Sequence, residues 1–106
     1  MYLVKLRVKR RPRHGLPRLE KATASCWVYT SSPVLAEARA RGHLARTGLE
    51  VEEVTEIRAV QRSEFIADPD SLRQFELAMA AAVAVQLHDW SWDPRDDPDR
   101  PHERAV

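Results

Sequence analysis

The chain opens with an alternation. Tyr2, Val4, Leu6 and Val8 are apolar, and Lys5, Arg7 and Lys9 stand between and after them. A period of two puts the two sets on opposite faces of a strand, so this segment predicts a strand with one buried and one wetted face. Arg10 to Lys21 then carries Pro12, Gly15 and Pro17 among four arginines and a lysine, which cannot continue a ladder and reads as a long basic loop. A second strand is expected from about Thr23 to Ser31. There Cys26, Trp27, Val28 and Tyr29 stand in a row, so both faces of this strand carry apolar bulk.

A helix is predicted next. Ser31 or Ser32 supplies a capping hydroxyl and Pro33 suits the first helical position, where no amide is needed. Leu35, Ala38, Gly42, Ala45 and Leu49 recur at three- and four-residue steps from Pro33 to about Thr47, and Gly48 provides a left-handed stop. A third strand falls within Leu49 to Arg62, with imperfect alternation. Leu49, Val51, Ile57 and Ala59 share a phase that Glu53 interrupts, Val54 and Val60 point the other way, and a single bulge does not repair the pattern. Asp68, Pro69 and Asp70 mark a second helix start, expected to run to about Asp89. Leu72, Phe75, Met79, Ala82, Val83, Gln86 and Trp90 form its stripe. Leu77, Ala78, Ala80, Ala81, Ala84 and Val85 keep the other sides apolar, which predicts cover all round, by the sheet and by a second copy.

The expected order is therefore ββαβα, an α+β domain over residues 1–92 with an acidic, proline-rich, disordered tail over 93–106. A right-handed crossover from the second strand to the third places the first strand between them, antiparallel to both. That is an incomplete ferredoxin-like, three-stranded sheet with both helices on one face and Lys5, Arg7 and Lys9 on the other.

Charge changes this picture. The first 21 residues hold eight Lys or Arg and one acid, residues 63–106 hold ten acids and four Arg, and the formal net charge of +1 conceals a basic head and an acidic rear. The two ends either steer a partner or neutralise each other. With 106 residues the chain is one domain in size, and its 43% hydrophobic content suits a folded one. One cysteine excludes an internal disulfide and fits a reducing compartment, so cytoplasmic location is expected. The start is no secretory signal, and the run Leu77 to Val85 is too short to cross a membrane. Arginine outnumbers lysine 14 to 3, which suggests bacterial base composition.

Candidate chemistry is sparse. Lys5, Arg7, Lys9, Arg10, Arg11 and Arg13 are the candidate anion or nucleic-acid contacts, with Trp27 or Tyr29 as a stacking surface. Phe75, Met79, Ala82, Val83, Trp90 and Trp92 are the candidate dimer or partner interface. Cys26 reads as a core residue, not a nucleophile. His88 and Asp89, adjacent in sequence, point in different directions on a helix or strand, and neither they nor the acids Asp93, Asp96, Asp97 and Asp99 make a metal site. Three glycines cannot build a phosphate-cradling loop. Glu50, Glu52, Glu53 and Glu56 suit a charged strand edge. The expectation is a non-enzymatic interaction module without a cofactor, homodimeric through the second helix. Nucleic-acid binding by residues 5–21 and a toxin-neutralising, immunity-type role are the alternatives.

Overall fold

A computed structural model describes residues 1–10 and 20–92. Four strands, β1 (Tyr2–Arg10), β2 (Glu20–Val28), β3 (Leu49–Ala59) and β4 (Val83–Trp92), form one sheet in the order β3-β1-β2-β4. Every neighbouring pair is antiparallel, and β1 lies between β2 and β3 as the crossover argument requires. Helix α1 (Pro33–Arg46) links β2 to β3; a 3-10 turn (Arg62–Phe65) and α2 (Pro69–Ala81) link β3 to β4. Of the loop expected from Arg10 to Lys21, Arg10 ends β1 and Glu20 and Lys21 already belong to β2, while 11–19 and the tail at 93–106 lie outside the described residues.

The fold departs from expectation in two linked ways. The described residues form four strands, not three, because the second helix stops at Ala81 and residues 83–92 form β4. Ala82 takes φ 77° and its amide still bonds to the Ala78 carbonyl, so the chain leaves the helix through a left-handed residue that is not glycine. From there Val83, Val85 and Leu87 alternate with Ala84, Gln86 and His88. A helix would scatter these three large side chains around its surface, whereas a strand delivers all of them to one core.

The helices also lie on opposite faces of the sheet. Val4, Leu6 and Val8 pack with Ala24, Cys26 and Val28 beneath Ala36, Ala40 and Leu44 of α1. Leu3 and Trp27, one residue out of phase, pack with Phe65, Phe75, Ala78 and Ala84 under α2. The Trp27 ring meets Phe65 edge-on at 5.9 Å between centroids, and Phe65 meets Phe75 at the same distance. Apolar bulk on both sides of β2 is thus covered from both sides. Lys5, Arg7 and Lys9 do project away from α1, but onto the face that α2 partly occupies.

The buried stripe of α1 is Ala36, Ala40 and Leu44, on the side of the helix opposite the expected Leu35, Ala38, Gly42, Ala45 stripe, and Leu35, Ala38 and Ala45 stay exposed. Two alanines one turn apart let the helix lie close against the sheet. Its ends follow the sequence: the Ser32 hydroxyl accepts from the Leu35 amide at 3.3 Å, and Gly48 follows the C-cap with φ 84°.

Strand β3 resolves its own broken alternation with two bulges. Its register against β1 slips between Lys5 and Leu6 and again between Arg7 and Val8, leaving Thr55 and Glu52 as the extra residues. Leu49, Val51, Val54, Ile57 and Ala59 consequently share the α1 face, while Glu50, Glu53, Glu56 and Arg58 share the other. The Thr55 hydroxyl donates to the Lys5 carbonyl at 3.2 Å.

Candidate functional site

The charge polarity of the sequence is met within the described sheet by its middle. Lys5 and Arg7 on β1 face Glu56 and Glu53 on β3 at 3.8 and 3.7 Å, and Lys21 reaches the bulge residue Glu52 at 3.8 Å. Arg10 pairs with Glu20 at 3.5 Å and also lies over the Trp90 ring, 4.9 Å from its centroid. These pairs are solvent-exposed and each contributes little to stability. Their consequence is electrostatic: much of the proposed anion surface is already opposed by carboxylates. Arg11 and Arg13 lie outside the described residues.

The expected apolar interface does not form one surface. Phe75 is in the α2 core, Met79 is 51% exposed on the outside of α2, and Ala82 marks the turn out of the helix. Val83 joins the core under α1 on the opposite face, and Trp90 stands 44% exposed beneath Arg10. Trp92 pairs with Glu20 at the far end of β4. The stripe assumed one continuous helix, and the turn at Ala82 divides it.

In its place the sheet presents two features. The first is a polar cleft of about 540 Å³ between the open sheet face and the start of α2. Its floor includes Lys5, Ser25, Trp27 and His88, and its wall includes Glu64, Asp68 and Ser71. Arg58 holds the rim, donating to Glu64 and to Glu56 at 2.6 Å each. The Arg58 guanidinium and the Gln61 amide hold the Glu64 carboxyl below its ordinary pKa. The Ser71 hydroxyl and amide do the same for Asp68, which caps α2.

Within this cleft Ser25 Oγ lies 3.0 Å from His88 Nε2, and His88 Nδ1 lies 3.1 Å from Asp89 Oδ2. A carboxylate only accepts, so Nδ1 carries the hydrogen. In the neutral imidazole Nε2 then accepts from the Ser25 hydroxyl. Asp89 reaches its own neighbour because β4 bulges there: Thr23 pairs with His88 but Lys21 with Ser91, and Asp89 takes φ 55°. Adjacent residues on a regular strand diverge; this bulge overturns that expectation. Beneath the cleft, the Trp27 indole N–H is buried without a hydrogen-bond partner among the described residues. Cys26 faces the other way, into the α1 core, where burial pushes its thiol up to about 12. Among the described residues no cluster of His, Cys, Asp and Glu is placed to hold a metal ion.

The second feature is the outer edge of β4. From Val83 to His88 this edge strand has no bulge, no proline and no acid, lysine or arginine. Among the described residues, the Ala82 carbonyl accepts from Tyr29 at the strand's start, and no backbone bond is made to the outer side of Val83 to His88. No helix of the described residues is long and apolar enough to cross a membrane. Comparison with protein-family models, with curated proteins and with solved structures gave no match.

Proposed function

We propose that this chain is a protein-interaction module that works as a homodimer, two copies pairing antiparallel along β4 into a continuous sheet. The observation that supports this reading is the open, uncharged, regular stretch from Val83 to His88 on one edge of a sheet whose other edge is acidic and bulged.

The segment is complementary to itself. A two-fold axis through Val85 and perpendicular to the sheet keeps corresponding faces together. It sets Val83 opposite Leu87, Ala84 opposite Gln86, and Val85 opposite its own copy. Val83, Val85 and Leu87, half-buried at the edge of the α1 core, then form one apolar row across the seam. No like charges meet in this register. The acidic β3 strands become the outer margins and end the sheet.

Light-scattering mass after size exclusion tests the proposal. Wild-type protein is expected as a dimer that persists in high salt. Val85→Lys, which puts two ammonium groups opposite each other at the axis, yields a folded monomer by circular dichroism, while Met79→Arg on α2 leaves the dimer intact. A monomeric wild type at micromolar concentration overturns the proposal, and so does a dimer that Met79→Arg splits and Val85→Lys does not. Nucleic-acid binding has less support, because Lys5, Arg7 and Lys21 each face a carboxylate of β3.

A further inference from the structure

We propose that Ser25, His88 and Asp89 form a hydrolytic site for small neutral esters, an activity separate from self-association. Three observations meet in the cleft. Ser25 Oγ is placed 3.0 Å from the imidazole nitrogen that can take its proton, and a carboxylate at 3.1 Å holds the other nitrogen in the required tautomer. Asp89 itself takes φ 55° on the bulge, a left-handed conformation uncommon outside glycine and frequent at working sites. Lys5 and Gln86, the cross-strand neighbours of Ser25 on either side, line the same cleft, Gln86 bringing an amide group and Lys5 an ammonium that is 3.8 Å from Glu56.

The chemistry follows from those positions. Ser25 Oγ attacks the ester carbonyl carbon as its proton passes to His88 Nε2. The C=O electron pair moves to oxygen, and the Gln86 amide N–H stabilises the resulting oxyanion. When the tetrahedral adduct collapses the ester C–O bond breaks, and His88 returns the proton to the departing alcohol. A water molecule, deprotonated by His88, then attacks the acyl-Ser25 ester, releasing a carboxylic acid and restoring the serine. Trp27 and Phe65 in the cleft lining favour an aryl leaving group. The wall carries Glu64, Asp68 and Asp70, so a neutral ester suits the cleft better than a phosphate or other strong anion. Ser25 and His88 are the catalytic residues, and Asp89 is a positioning residue.

The probes are p-nitrophenyl acetate and p-nitrophenyl butyrate with the full chain. Turnover is expected above buffer, with a loss of at least about 100-fold in Ser25→Ala and in His88→Gln, the lower end of what positioned acid-base chemistry contributes. Asp89→Asn, which keeps a residue that tolerates positive φ, should lower kcat and leave KM unchanged, a split that simple loosening of the fold does not produce. Peptide mapping after a brief exposure should locate the acetyl group on Ser25. Wild-type turnover equal to that of Ser25→Ala, or acetyl found on Lys5 or another lysine and absent from Ser25, overturns the proposal. Because Ser25→Ala removes one oxygen, matching melting curves for it and wild type keep a negative result decisive. The readout is catalytic, so it stands or falls apart from the mass measurement that tests the dimer.

Discussion

Strands β3 and β4 occupy equivalent places, each at one edge of the same sheet, yet they are built by opposite rules. Strand β3 is eleven residues with four glutamates and two bulges, and β4 is ten residues that run regular and uncharged until Asp89. Bulges twist an edge and charges repel a second copy, so β3 resists the pairing that β4 invites. The glutamates have a second role, since they oppose the lysine and arginine side chains of β1 and leave little of the cationic face uncompensated. A sheet guarded on one side and open on the other can add one partner and then stop.

Removing one residue from each edge strand gives the largest expected contrast. Deleting Thr55 from β3 removes an extra residue, and Ile57, Glu56, Val54 and Glu53 then alternate without a break. The expected cost is about 1 kcal/mol, that of the hydrogen bond to the Lys5 carbonyl. Deleting Gln86 from β4 instead puts Val83 and Val85 out of phase with Leu87 and swaps the alanine beneath α2, exposing half-buried side chains whose burial contributes roughly 2–3 kcal/mol together. Urea unfolding monitored by circular dichroism separates the two. Equal losses would show that bulged and regular edges tolerate length changes alike.

Next in size is the effect of unguarding β3. Deleting Thr55 and Glu52 together and replacing Glu50, Glu53 and Glu56 by Thr leaves a flat edge without acids, with Arg58 as its one charge. Light scattering is expected to show species larger than a dimer, because both edges can then pair. The same substitutions uncover Lys5 and Arg7, and heparin retention should increase and fall with salt. An unchanged mass would assign the guarding to something other than charge and bulges.

A smaller effect sits where β4 begins. Ala82 holds φ 77°, which costs an alanine roughly 1–2 kcal/mol relative to glycine. Ala82→Gly relieves that strain but enlarges the freedom of the unfolded chain, for a net stabilisation of roughly 0.5–1 kcal/mol. A destabilised variant would mean that the methyl group packs usefully at the corner. Cys26 provides a control on the covered face: with its thiol pushed up to about 12 and no exposure, it should react with thiol reagents only on unfolding.

Residues explain which parts of this architecture were legible beforehand. The alternation of Tyr2 to Lys9, the Ser32–Pro33 cap and Gly48 are strong local signals, and each stands where expected. The end of α2 was hidden because alanine occupies the corner where glycine normally announces a stop, and Leu77 to Val85 is apolar enough to suit either structure. The available signal was Val83, Val85 and Leu87 at a spacing of two. Trp27 between Cys26 and Val28 also demanded cover on both faces, which helices on a single side cannot supply. Ser25 and His88 were out of reach: they are 63 residues apart and meet only once β4 lies beside β2. Asp89 joins them through a backbone angle that no sequence pattern specifies.

The smallest effect concerns the fastening of β3 to the turn that follows it. Arg58 donates to Glu64 and to Glu56 at 2.6 Å each, and the Gln61 amide donates to Glu64 at 2.9 Å, which together tie the end of β3 to the 3-10 turn. The Glu64 carboxyl is held below its ordinary value first by Arg58 and then by that amide. A carboxyl whose folded pKa is depressed contributes stability above its unfolded pKa and loses it as pH falls through the folded value. The melting temperature should therefore fall on acidification below the ordinary glutamate range, and Glu64→Gln should show a shallower fall. The difference is confined to acid, where the carboxyl protonates, and is small because solvent screens the exposed pair. Parallel curves for wild type and Glu64→Gln would mean that the turn is fixed by Phe65 alone, through its packing on Trp27 and Phe75, and that Arg58 serves only the charge balance of the β3 edge.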